Sequence, residues 1–100
     1  MAKYKTPSEV VSPKKNWGLI AVLDYEGTEG GSALAIGRWD GEVVLAMRWN
    51  GDDARPNGNP QSRGVPTWFI VPDKFCEDIL QNKGLARDKV TMARSLFSAS

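Results

Sequence analysis

Two adjacent residues, Asp40-Gly41, constrain this chain more than any other feature. They lie between two apolar runs in the stretch Ser32 to Asn50, SALAIGRWDGEVVLAMRWN. A two-residue type I′ turn needs positive φ at both central positions, which Asp-Gly accepts, so the stretch is predicted as a β-hairpin. Counting outward sets the register: Trp39 opposes Glu42, Gly37 opposes Val44, Ile36 opposes Leu45, Ala35 opposes Ala46 and Leu34 opposes Met47. Side chains alternate between the two faces of a strand. One face then carries Leu34, Ile36, Val43, Leu45 and Met47, a core face. The other carries Ala33, Ala35, Gly37, Val44 and Ala46, bordered by Trp39 at one end and Arg48 at the other. That second face is small and flat. It is expected either to lie under another layer or subunit, or to act as a platform for an extended ligand.

A chain of 100 residues is predicted as one domain whose small core oligomerisation would reinforce. No apolar run approaches the ~18–20 residues that a membrane helix needs, and MAKYKTPSEV lacks the apolar stretch of a signal peptide. The single cysteine, Cys76, has no internal partner, which suits a reducing cytoplasm. The net charge is +1, unevenly placed: residues 1–16 carry +3 through Lys3, Lys5, Lys14 and Lys15 against Glu9. Residues 83–100 carry +3 as well, over a middle at −5. Basic ends fit nucleic-acid or membrane-surface contact, and equally fit solubility alone. With no histidine in the sequence, the usual His metal sites and Ser-His or Cys-His nucleophile pairs are excluded within one chain. The remaining catalytic candidates are Asp24, Glu26 and Glu29 at the first turn, which solvated turn carboxylates explain better.

Taken in order, residues 1–16 hold Pro7, Pro13 and lysine pairs without periodicity and read as a flexible basic arm. WGLIAVLDY at Trp17 to Tyr25 is predicted as a strand, with Trp17, Leu19, Ala21, Leu23 and Tyr25 on one face. EGTEGG follows as its turn. Gly51 to Val65, GDDARPNGNPQSRGV, is a long loop of the kind that is often functional. Its Asp52, Asp53 and neighbouring Asn residues lack EF-hand spacing and the terminal Glu, so they read as turn formers, with no metal or cofactor implied. Pro66 to Val71 is predicted as a fourth strand. Pro72-Asp73 opens a helix whose buried stripe is Phe75, Ile79 and Leu80, with Cys76 as a small apolar filler, and Gly84 stops it. Leu85 to Phe97 is a second, weaker helix that could pack on the same domain, join a partner subunit or lie on an anionic surface, with subunit contact preferred because a short helix needs tertiary support. The chain thus divides into an arm at 1–16, a sheet-plus-helix domain at 17–84 and a C-terminal amphipathic helix at 85–100.

The order β-β-β-β-α, together with strand–WDG–strand, Arg48-Trp49, the polar loop, Arg63-Gly64 and a helix opening PDKF, resembles the positive-cofactor-four-like small single-stranded DNA-binding proteins. The likeness covers roughly residues 30–82. The chain also resembles orphan proteins encoded by integron gene cassettes on mobile elements. The first resemblance implies a four-stranded antiparallel sheet with one packed helix, dimerisation, and single-stranded nucleic acid as ligand. Trp39 would then stack a base, Arg48, Arg55 and Arg63 would neutralise phosphates, and Lys14 and Lys15 would close over the strand. Arg38, which the register places with the core-facing residues, is a further phosphate candidate. The fold class expected is an oligomeric α+β protein with a second, C-terminal helix. The expected function is non-catalytic binding in the cytoplasm, with self (dimer or tetramer) and single-stranded nucleic acid as partners and no membrane. The alternative is a homo-oligomeric interaction or small-ligand module.

Overall fold

In the computed structural model, which describes residues 6–27 and 30–99, the Asp40-Gly41 turn forms with φ of 51° and 87°. It joins β2 (Ser32–Trp39) to β3 (Glu42–Trp49), and every opposing pair predicted from the turn is present, from Trp39 opposite Glu42 to Leu34 opposite Met47. β1 (Trp17–Tyr25) pairs antiparallel with β2. The chain then makes a small separate hairpin, β4 (Gln61–Ser62) and β5 (Val65–Pro66), turning at Arg63-Gly64 with φ of 52° and 80°. β6 (Phe69–Ile70) returns to the main sheet beside β3. The result is an antiparallel four-stranded sheet in the order β1-β2-β3-β6, followed by α1 (Asp73–Leu80) and α2 (Arg87–Ala99). The fold is α+β. The fourth strand is two residues long where residues 66–71 were expected, because Val65 and Pro66 are spent in the small hairpin.

Both faces of the sheet are covered over most of their length. On one face Leu23, Leu34, Ile36, Val43 and Leu45 pack against Val71, Cys76 and Leu80 around α1 and against Leu85, Val90 and Ala93 around α2. The C-terminal helix therefore packs on its own domain, one of the placements its sequence left open. Two polar ties hold it there: Lys89 Nζ donates to Val22 O at 3.0 Å, and Arg94 Nη1 meets Glu77 Oε1 at 2.5 Å. In α1 the buried side chains are Cys76 and Leu80, while Phe75 is exposed with the Lys74 ammonium 5.2 Å from its ring centre. Burial pushes the Cys76 thiol pKa up, as befits an apolar filler. The Arg94 guanidinium holds the Glu77 carboxyl below its ordinary value. Its folded pKa being lowered, the pair stabilises the fold at neutral pH and stops doing so as pH falls through that value. Wild type and Arg94→Gln are thus expected to differ in melting temperature near neutrality and to converge in acid.

The second face carries Ala33, Ala35, Val44 and Ala46 beneath Val10, Trp17 and Trp68. Here the described part of the arm, from residue 6, is packed rather than free, while residues 1–5 of the expected arm lie outside the described residues. After a short 3-10 turn at Pro7–Glu9, Val10 is 1% exposed and its carbonyl accepts from Trp68 Nε1 at 2.8 Å. The Trp17 and Trp68 rings lie 5.8 Å apart, tilted by 35°. Gly37 makes this possible. A Cβ there would stand 2.5 Å from Trp17 Cη2 and 2.6 Å from Gly18 O. Gly37→Ala is expected to cost about 1–3 kcal/mol through overpacking, read as a lower denaturation midpoint.

β1 departs from simple alternation. Register shifts between Leu19 and Ala21 and between Val22 and Asp24 mark two bulges. Each extra residue exchanges the faces that follow it. Trp17 and Leu19 therefore join the arm-side cluster, while Ala21 and Leu23 join the helix-side core. The expectation of one face for all five odd-numbered residues is corrected. Bulges also twist a sheet edge away from pairing with another chain. Among the described residues no helix is long and apolar enough to cross a membrane.

Candidate binding surface

The six residues assigned from sequence separate into two groups at opposite ends of the sheet. Lys14, Lys15 and Trp39 are at the Asp40-Gly41 end. Both lysines are exposed, and Asn16 beside them is tied to the turn, its Nδ2 donating to Asp40 Oδ1 at 2.6 Å. Trp39 is half-buried against the arm-side cluster. Arg38 is exposed at this end too, its Nη1 donating weakly to Gly41 O at 3.4 Å. Arg48, Arg55 and Arg63 belong to the far end, where β3 meets the long loop. Of the turn carboxylates, Asp24 is exposed, Glu26 Oε1 accepts from Ser32 N at 3.1 Å, and Glu29 lies outside the described residues. Among the described residues, no group of three or more His, Cys, Asp or Glu is placed to hold a metal ion.

Arg48 is not a surface cation. It is 4% exposed, and its guanidinium donates to the backbone carbonyls of Asn57 and Thr67, with Pro60 O 3.4 Å from Nη1. Burial pulls its pKa down. One planar fork with several fixed donors thus gathers three points of the loop, a geometry that lysine's point charge does not supply. Gly58 fits under it with φ of 64°; a Cβ there would meet Trp49 O at 2.1 Å and Arg48 Nη2 at 2.7 Å. Alongside, Trp49 N donates to Asn59 O at 2.7 Å and Asn59 N returns to Trp49 O at 3.0 Å. The long loop is therefore a built wall rather than a loose connection.

That wall leaves an aromatic surface beside it. Trp49 and Phe69 are 60% and 56% exposed, with Met47 at 37% between them on the helix-side face. With Ser32, Asn59 and Pro60 they line a groove of about 550 Å³. Trp49 also borders a second, more polar cleft of about 340 Å³, shared with Gly30, Asn50, Asp52, Arg55, Gly58 and Asn59. Trp49, Phe69 and Met47 were missed at the sequence level because their register places them on the core face. Arg55 and Arg63 are exposed in the loop, and Arg63 sits at the tip of the β4–β5 hairpin, which Asn57 Nδ2 steadies by donating to Gly64 O at 2.7 Å. Comparison with protein-family models, curated proteins and solved structures gives no match.

Proposed function

We propose that the chain is a non-catalytic binding protein for single-stranded nucleic acid, working from the Trp49–Phe69 end of its sheet. The observation that carries this reading is the pair of indole and phenyl side chains left largely uncovered on one sheet face. Every base has a π-face, so exposed aromatics on a sheet accept successive bases at ~1–3 kcal/mol each. Arg55, which lines the same cleft as Trp49, supplies a phosphate contact, and Arg63 at the hairpin tip supplies a second. The binding surface lies on the opposite face from the small-residue platform. A single buried thiol suits a cytoplasmic setting.

A second reading is a protein-contact module, a second copy of the chain included. It is favoured by Met47 beside the two aromatics and by a loop bearing both Asp52 and Asp53 with Arg55 and Arg63. Fluorescence anisotropy of a labelled single-stranded oligonucleotide, titrated at several salt concentrations, separates the two. Two phosphate contacts predict a log–log salt slope of about −1.4, shallow because stacking carries most of the affinity. Absence of binding at low salt overturns the nucleic-acid reading. Concentration-dependent self-association in sedimentation would then support the second.

A further inference from the structure

The cleft beside Trp49 has more chemistry than a stacking platform requires. Asn50 lines it and is 8% exposed, its Nδ2 donating to Glu26 O at 3.4 Å, while its Oδ1 is buried with no hydrogen-bond partner. Asp52 lines it as well. One of its carboxylate oxygens, Oδ1, accepts from Arg55 N at 2.7 Å, and the other, Oδ2, lies 3.7 Å from where a Cβ on Gly30 would stand. The residues lining the cleft thus include two with acceptors of spare capacity, one exposed arginine and one exposed tryptophan. A buried acceptor without a donor is costly, and a ligand that supplies the donor recovers that cost.

Resting on the reading of this surface as a single-strand binder, we infer that the cleft selects guanine. Guanine presents two adjacent donors, N1–H and N2–H₂, to match Asn50 Oδ1 and the Asp52 carboxylate. Its O6 and N7 are the acceptors that arginine recognises best, so on a guanine Arg55 turns from the phosphate it contacts on other strands to the base edge. The ring stacks on Trp49. Thymine fails the same test: its one N–H is flanked by two carbonyl oxygens, which would face the Asn50 and Asp52 oxygens. Adenine and cytosine each offer a single amino group beside a ring acceptor and fall between.

The test compares four labelled oligothymidine strands of about nine nucleotides, identical except for dG, dA, dC or dT at the centre, by anisotropy with the full-length protein. The dG strand is expected to bind at least about fivefold more tightly than the all-dT strand. In Asp52→Asn, which keeps the Oδ1 acceptor for Arg55 N but places an amide donor in the cleft, that preference is expected to vanish, the dG strand weakening and the all-dT strand, no longer facing a carboxylate oxygen, tightening. A Tm close to wild type confirms that the variant is folded. Equal binding of all four strands by wild type overturns the guanine assignment and leaves the stacking reading standing. A dG preference that survives in Asp52→Asn also overturns it. Failure of every strand to bind overturns both.

Discussion

Arg48→Met is expected to destabilise the protein by about 3–5 kcal/mol in urea denaturation, the largest loss from any single charged residue in the chain. Hydrogen bonds to a charged donor contribute about 1.5–3 kcal/mol each, and this guanidinium serves the carbonyls of Asn57 and Thr67 and approaches that of Pro60. Methionine fills similar volume but leaves those acceptors without donors. Lysine is expected to recover only part of the loss, because one ammonium does not reproduce the fork. The damage should be local first. Hydrogen exchange at the Trp49 and Asn59 amides, which bond each other's carbonyls, is expected to accelerate in both variants before the sheet centre around Ile36 and Leu45 responds. A cost below about 1 kcal/mol would mean that the loop is held by its backbone bridge, with Arg48 incidental.

Arg48 also marks where sequence reasoning stops. Its place at the rim of a small-residue face reads as solvent-facing, yet its partners come from positions 9, 12 and 19 residues further along. Periodicity has no access to contacts of that kind. The β2–β3 hairpin was legible because two residues set both turn and register, and nothing distant competes with them. β1 was legible as a strand but not in its phase. GLIAVL is apolar throughout, so no polar residue signals where a bulge exchanges the faces. The fate of the arm was hidden for a related reason. Val10 and its bond from the Trp68 N–H hold the described part of the arm on the alanine face in a way the sequence does not advertise. Trp49 had a usable signal. An eight-residue helix such as α1 is ~12 Å long and the 13 residues of α2 ~20 Å, whereas an eight-residue strand such as β3 runs ~26 Å, so neither helix matches the strand's length. The end at Ser32, Met47 and Trp49 is the one left open.

Trp49→Ala tests what that open end is for. Because the indole is 60% exposed, its removal is expected to change folding free energy by no more than about 0.5 kcal/mol. Affinity for a single-stranded oligonucleotide should fall by roughly five- to 150-fold, the equivalent of one lost stacking contact at ~1–3 kcal/mol. Phe69→Ala should behave likewise, and the double variant should lose more than either. Trp68→Ala supplies the contrast. That ring is 7% exposed, contacts Trp17 and holds the arm through Val10 O, so its loss should cost about 3–5 kcal/mol of stability. Trp39, half-buried at the other end of the sheet, should affect stability more than binding, reversing the roles that its position beside the hairpin turn suggests. If Trp49→Ala leaves oligonucleotide affinity intact but abolishes self-association, the aromatic surface belongs to a protein contact. The exposed indole then has the same physical role, with an apolar side chain stacked on it in place of a base.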